Sequence, residues 1–447
     1  MDKDYLIRLI REYNPGLEGR AYPVPPTRRD LYDEIEPWLS RKQAVAIVGL
    51  RRTGKTTLMR QVQDRLSGTS TFFSFDEEET RTKEVLVFVL DYAITTLNAT
   101  SILLDEIQYV DDWEGTLKRY YDQRGLKFIL SGSESLDIYR AKAALAGRIA
   151  TFILPPLSFR EYLRLKGVTV GTNKIPLAND YPAMERLYQE CLTRKEYFEQ
   201  EFIEYLYKGA FPELVQETDG AVIRNYIHDL VVKKIVYRDI PSIFEVRRPD
   251  ILLGLFRYAS STSSQLFDIQ TLARHFGVHA ETVANYLWYL QSAFLIRTAE
   301  SYSASPAKRA RRNKKLYVVH PAIACATLGY DRQQLIEPVL GPYVETLFAS
   351  QYFWRDRYKR EVDVVFETRE GLMPVEIKYQ SSITTSDTKN LRYFMEEHHV
   401  PLGILITKDV MERQSRDEKE IFCIPAWLAL LAQIGSSSHD SQTAGSQ

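Results

Sequence analysis

One nine-residue segment constrains this chain more than any other: Gly49-Leu50-Arg51-Arg52-Thr53-Gly54-Lys55-Thr56-Thr57. It follows the β-branched run VAIV (Val45–Val48) and precedes TTLMRQVQDRL, whose apolar residues recur at helical spacing. A glycine-rich turn between strand and helix lets backbone N–H groups curl around phosphates at the helix N-terminus. Lys55 then supplies a point charge to the β- and γ-phosphates, and Thr56 a hydroxyl to Mg2+. Gly49, Arg52, Thr53, Gly54, Lys55, Thr56 and Thr57 are therefore the expected binding residues for ATP. Arg51 and Arg52 either touch phosphate or decorate the rim of the loop. A chance glycine-rich turn is the bland alternative, and the flanking strand and helix weigh against it.

The loop belongs to a longer alternation. VAIVG, TFFSF, SILLDE and KFILSGS are short apolar runs separated by amphipathic stretches, which predicts a parallel sheet wrapped by helices. SILLDE ends in Asp105-Glu106, so one carboxylate is expected beside Mg2+ (Asp105) and the other where it orients attacking water (Glu106). KFILSGS ends in Ser131-Gly132-Ser133, hydroxyls suited to sensing the γ-phosphate or the water. Ser131 is preferred over Ser133, with a plain strand-capping turn almost as good a reading. Arg148, in LAGRI, is an expected arginine finger on a neighbouring subunit, hence a homo-oligomer, or equally a surface ion-pair partner.

In this order RRD (Arg28–Asp30), GLRRTGKTTL, FDEE, LLDEIQ, LSGSES, LAGR and LPPLSFREYL resemble a prokaryotic AAA-type ATPase family. In that family the ATPase is followed by a helical winged-helix region and a DUF4143 domain. The resemblance implies a core ATPase with an additional strand beside the phosphate-loop strand. It covers nearly the whole chain except the N-terminal segment and the tail, and its motifs are specific in combination. One departure is VVHPAI, where His320 stands at a position that the family gives to Asp, which touches only a local contact.

Further on, Ile269–Ile296 predicts a helix, a tight turn at Gly277 and a second helix, with Ala273, Phe276, Val278, Val283, Tyr286, Leu287 and Leu290 at helix-turn-helix core spacing. The second helix would expose His279, Glu281, Thr282, Asn285 and Trp288. A basic stretch follows, with Lys308, Arg309, Arg311, Arg312, Lys314 and Lys315 before the strand LYVV. A basic hairpin (308–315) beside a helix-turn-helix predicts phosphate contacts with DNA. A protein-binding or spacing role is the alternative, since the second helix carries little positive charge.

The C-terminal block places Glu345 in a helix-like segment, Asp363 in the strand EVDVVF and Glu376 and Lys378 in PVEIKY. Asp on one strand and Glu-x-Lys on the next match the PD-(D/E)xK nuclease pattern. Clustered carboxylates hold Mg2+ beside a phosphodiester, and the lysine orients water. Asp363 and Glu376 are the expected metal ligands, Glu345 a further ligand or base, and Lys378 the water-positioning group. A hairpin with a charged solvent face is the alternative, and such folds also persist as inert binding domains.

The expected fold class is thus α/β. It comprises an N-terminal helical segment (1–40), a P-loop AAA-like ATPase core (41–165), a helical region with a winged helix (166–335, winged helix 269–320), an α/β PD-(D/E)xK nuclease-like DUF4143 domain (336–434) and a disordered tail (435–447). The 447 residues, 45% hydrophobic, are enough for more than one core. A formal net charge of -1 requires any DNA surface to be local. Three scattered cysteines and no run long and apolar enough for a membrane helix predict a soluble cytoplasmic protein with no membrane contact. The functions these features predict are an ATPase acting on DNA, with Mg2+-dependent cleavage by the C-terminal domain, or a nucleotide-controlled switch or scaffold whose nuclease-like domain only binds.

Overall fold

The apolar runs of the first third are strands with both faces covered. In a computed structural model that describes residues 2–20, 22–133, 145, 147–170, 180–303, 305, 314–368 and 371–432, β1 (Ala44–Val48) and β3 (Ser101–Asp105) are buried at every position. With β2 (Ser70–Ser74), β4 (Lys127–Gly132) and β5 (Ile149–Ile153) they form a sheet in the order β2-β3-β4-β1-β5. Every pairing is parallel. Continuous apolar strands of this kind need helices on both faces. On one of them Leu31, Tyr32 and Ile35 of helix Leu31–Leu39 and Leu58, Met59 and Val62 of helix Lys55–Gln63 pack on Val45, Ile47, Leu103 and Ile129. β4 lies between β1 and β3, so an additional strand does separate the loop strand from the acidic strand.

The outer edge of the sheet is closed by a side chain. Asn14, just past helix Lys3–Tyr13, donates to the Phe72 carbonyl and accepts from the Phe72 N–H, both at 2.8 Å. An amide thus stands in for a neighbouring strand at β2 and blunts an edge that would otherwise pair with another chain.

Backbone contacts divide the chain into two units, Met1–Pro155 and Pro156–Ser437. LPPLSFREYL (Leu154–Leu163), expected as the exit from the sheet, follows β5 and spans the boundary, and in its second part Ser158 and Glu161 cap helix Phe159–Leu165 reciprocally. The second unit has a nine-stranded sheet ordered β13-β14-β12-β11-β10-β9-β7-β8-β6. Its strands are β6 (Gln265–Phe267), β7 (Ile296–Ser301), β8 (Lys314–Val318), β9 (Tyr352–Arg355), β10 (Glu361–Thr368), β11 (Gly371–Ile377), β12 (Leu402–Thr407), β13 (Glu412–Arg416) and β14 (Lys419–Pro425). One join makes the sheet continuous: β7 pairs parallel with β9 through Glu300–Tyr352 and Ser301–Phe353. Among the described residues no helix is long and apolar enough to cross a membrane. The expected tail at 435–447 lies outside the described residues.

Candidate functional site

The phosphate loop starts where β1 ends, and its first glycine has a steric reason. Gly49 sits at φ 152°, and a Cβ there would lie 2.2 Å from the Leu154 carbonyl oxygen. Gly54 caps helix Lys55–Gln63 at φ 95° with no side-chain cap. The first-turn N–H groups of that helix therefore have no competing side-chain acceptor at the cap, as anion binding needs. Arg29 braces the loop from behind, donating to the carbonyls of Thr53 at 2.5 Å and Pro155 at 2.8 Å. It was legible only as part of RRD, with no sign of that role.

Lys55 is 5% exposed and donates to the Gly49 and Leu50 carbonyls at 3.1 and 3.2 Å and to Ser133 Oγ at 3.0 Å. Thr56 Oγ1 donates to Asp105 Oδ2 at 2.8 Å. Those two oxygens meet at the loop's edge, a hard-oxygen pair of the kind Mg2+ takes together with phosphate oxygens. The donor set fits the ion. Burial first, then the neighbouring Glu106, pushes the Asp105 carboxyl up to about 6. Glu106 moves the other way: burial alone would raise it, but Lys55, Gln108 and Ser133 together hold it below the ordinary carboxylate range.

Glu106 itself adopts φ 54°, a left-handed backbone uncommon for a residue with a side chain. Its carboxylate accepts from Ser133 Oγ at 2.9 Å and from Gln108 Nε2 at 2.5 Å. The two serines make different contacts. Ser131 donates to Asp105 and accepts from the Glu106 N–H at 3.2 Å, while Ser133 joins Lys55 to Glu106. Gln108 was not among the expected site residues and was visible only as the last letter of LDEIQ.

Arg148 lies far along the sheet from its own chain's phosphate loop. It precedes β5, whose first residue Ile149 pairs with Ala44 at the start of β1, whereas the phosphate loop leaves the other end of that strand. Its guanidinium binds Asp122 of its own chain at 2.9 Å. The surface ion pair, offered as the equal alternative, is what this geometry has.

In the second unit the helix pair forms as expected. Helices Ile269–Phe276 and Ala280–Ser292 flank Gly277 at φ 64°, with Val283, Tyr286, Leu287 and Leu290 buried and Trp288 46% exposed. β7 and β8 form the antiparallel hairpin that follows, and β6 pairs with β8. The basic stretch is a different matter. Residues 308, 309, 311 and 312 lie outside the described residues. Lys314 pairs with Glu300 at 2.8 Å, and Lys315 is 2% exposed, so neither is a free phosphate contact. β8 is buried on both faces from Lys315 onward, and Lys315 and Tyr317 share one of them.

That face meets the C-terminal carboxylates. Lys315 Nζ lies 2.8 Å from Glu345, 2.7 Å from Glu361 and 3.4 Å from Asp363. Tyr317 donates to Glu345 at 2.7 Å, and Asp363 Oδ2 accepts from the Ile377 N–H at 3.0 Å. Lys378 pairs with Glu376 at 2.6 Å. Burial, then the Asp363 charge, pushes Glu345 up to about 7 and Glu376 up to about 8. Glu345, Asp363, Glu376 and Lys378 are thus brought together on helix Glu337–Phe348, β10 and the end of β11. The expected metal does not fit. Among the described residues no group of acidic, His or Cys side chains is arranged to hold one, and an ammonium stands among these carboxylates. Asp363 and Glu376 hold protein partners instead.

His320 caps helix Pro321–Leu328, Nδ1 accepting from the Ala322 N–H at 3.1 Å. That is work an Asp does equally well, which accounts for the interchange.

Residues 41–163 match the AAA domain model AAA_14, 199–334 match a domain of unknown function (DUF8612) and 343–428 match DUF4143. An uncharacterized protein of Methanocaldococcus jannaschii is 25% identical over 81% of this chain and 78% of its own. Another from Haemophilus influenzae is 21% identical over 86% and 93%. The solved Thermotoga maritima RuvB Holliday junction branch migration motor aligns at 14% identity and TM-score 0.29 over 74% of this chain and 96% of that one, too distant a likeness to bear on the fold. The domain match at 41–163 coincides with the parallel sheet and phosphate loop, and DUF4143 follows in order, so the likeness to AAA-type ATPases is carried by residues 41–163.

Proposed function

We propose that the loop at Gly49–Thr57 binds Mg2+-ATP and that the site hydrolyses it. The observation that carries this reading is the contact of Thr56 with Asp105 next to a Glu106 tied to Lys55 through Ser133. Lys55 and the first-turn N–H groups hold the phosphate charge. When bound, Mg2+ would be held by Thr56 and Asp105 and would supply neutralisation of the phosphate oxygens. Glu106, kept ionised by its donors, orients water for attack on the γ-phosphorus. The phosphorus–oxygen bond to the β-phosphate breaks, releasing ADP and phosphate.

The test is steady-state ATP turnover with nucleotide binding measured separately. Lys55→Ala should lose both, and Glu106→Gln should keep binding while turnover drops at least about a hundredfold. Retained turnover in Lys55→Ala would sink the assignment.

For what hydrolysis serves, the structure favours a nucleotide-controlled switch or scaffold with a non-catalytic C-terminal domain, because Lys315 stands among the carboxylates that a nuclease would give to metal. Action on DNA is the second reading, favoured by the helix pair and hairpin around Gly277 and carried by Lys308, Arg309, Arg311 and Arg312. Salt-dependent DNA binding that falls on replacing those four residues by alanine would support it. Asp363-dependent cleavage of DNA in Mg2+ would instead revive the nuclease.

A further inference from the structure

We propose that Lys315 is a tethered cation standing where a divalent metal would otherwise neutralise Glu345, Glu361, Asp363 and Glu376, so that this cluster is a metal-free joint with a latent divalent-cation site. The inference rests on the reading of the C-terminal domain as non-catalytic.

Charge makes the first part of the case. Four carboxylates crowd this face, and three cations answer them: Lys315 to Glu345, Glu361 and Asp363, Arg355 to Glu361, and Lys378 to Glu376. Lys315 alone is central. Its side chain is 2% exposed, and lysine is almost never so buried unless its charge is paired. Lys378 is on the rim, with a third of its side chain exposed.

Distance separates ammonium from metal. Lys315 stands 2.7 to 3.4 Å from its three carboxylates, the range of charge-assisted hydrogen bonds. Oxygens around Mg2+ would close to about 2.0–2.1 Å, and around Ca2+ to about 2.3–2.6 Å. The carboxylates are spread around a hydrogen-bonding cation, which is why they do not form a ready metal shell. One oxygen is left over. Glu376 is 3% exposed, and its Oε2 is buried with no hydrogen-bond partner among the described residues. A buried carboxylate oxygen without a partner is costly to keep, and it marks a coordination position that the short reach of one ammonium does not fill.

Connectivity makes the second part. Lys315 belongs to β8, whose hairpin partner β7 pairs with β9, and Glu361 and Asp363 lie on β10 next to β9. Lys315 Nζ also lies 5.4 Å from the centre of the Phe353 ring on β9. The lysine therefore reaches over the β7–β9 pairing, which joins the hairpin to the C-terminal sheet among the described residues. A free metal could come and go. A tethered cation fixes the joint for as long as the sheet is folded.

The latent site would take a small hard cation, since every donor is a carboxylate oxygen. The test uses the full chain without nucleotide, with Mn2+ as the probe and free Mn2+ followed by electron paramagnetic resonance. Wild type should show no Mn2+ site that Asp363→Asn removes; finding such a site would overturn the proposal. Lys315→Met should lose about 10 °C of thermal stability, gain one Mn2+ site that Asp363→Asn abolishes, and recover part of the loss in Mn2+. A stable Lys315→Met protein with no such site would refute the idea.

If Lys315→Met does not fold, Lys315→Met/Glu345→Gln removes one charge from each side of the contact. It should fold, and its unfolding midpoint should fall short of wild type by less than that of Glu345→Asp/Lys315→Met, which keeps the unanswered carboxylate. No difference between the two pairs would deny Lys315 the role of counter-ion. None of these readouts depends on ATP turnover. A failed ATPase assay and a failed metal assay therefore refute different statements.

Discussion

Ser131 and Ser133 sit two residues apart on and just beyond β4, and their contacts assign them separate tasks. Ser131 serves Asp105, a buried carboxylate whose other oxygen takes the Thr56 hydroxyl. Removing the Ser131 hydroxyl leaves a buried acceptor short of a donor, which costs about 1–3 kcal/mol. Ser131→Ala should therefore lower the midpoint of thermal unfolding and raise the Mg2+ concentration needed for half-maximal turnover. Ser133 touches no part of the Mg2+ pair and instead ties Glu106 to Lys55. Ser133→Ala should also lower the unfolding midpoint but leave the Mg2+ requirement close to wild type, while kcat falls roughly tenfold or more as Glu106 loses a donor that keeps it ionised. Measuring kcat and the half-maximal Mg2+ concentration on both variants separates the roles, and identical profiles would contradict them. The sequence offered two hydroxyls here without distinguishing their contacts. The choice depends on where the strand stops relative to β3, and no local pattern encodes that register.

At the level of elements, the stretches easiest to read were those whose surroundings repeat along the chain. β1 to β4 and β10 to β12 are continuous or alternating apolar runs, and each was legible for that reason. β13, whose sequence is the polar ERQSR, offered no such signal, because an exposed edge strand buries almost nothing. The π-helical turns Tyr226–Val232 and Ile235–Asp239 were equally hidden, since they depart from helical spacing by only one residue per turn. His320 shows how an element's end can carry a pH dependence. It caps helix Pro321–Leu328 while fully buried, and burial lowers it from 6.5 to about 3. The fold thus binds its neutral form. The cap's contribution is intact above pH 6.5 and is lost as pH falls from there towards 3, at up to about 1.4 kcal/mol per pH unit. Asparagine caps without titrating. The stability gap between wild type and His320→Asn should be flat above about pH 7 and move about 2 kcal/mol in the variant's favour by about pH 5. Urea unfolding at several pH values reads this, and parallel curves would show that His320 is not what makes the difference.

Taken whole, the molecule has two folded units, and the switch reading makes an energetic demand on them. A ligand shifts a conformational equilibrium only by its difference in affinity for the two states. The proposed ATP site is built from elements of Met1–Pro155, so an output in Pro156–Ser437 requires that the second unit favour a different state when the first is loaded. That coupling is a free energy, typically about 1–3 kcal/mol, and it leaves a trace even where no bond changes. The sequence could locate both ends, the phosphate loop and the carboxylate cluster, because each is a short pattern. It could not show that Lys315 belongs to the second of these, since the lysine precedes Glu345 by 30 residues and lies in a run that looks like a DNA contact. Hydrogen exchange on Glu106→Gln, which should hold ATP without consuming it, measures the coupling directly. Mg2+-ATP should slow exchange in the loop and the start of helix Lys55–Gln63 by direct contact, and should also change exchange in at least one segment of the second unit. The size of that second effect is bounded by the coupling energy, so a change of about five- to a hundredfold in the responding amides is expected. Protection confined to residues 41–155 would leave ATP with nothing to control in the rest of the chain, and the switch would then have to give way to an ATPase whose second unit is a passive binding module.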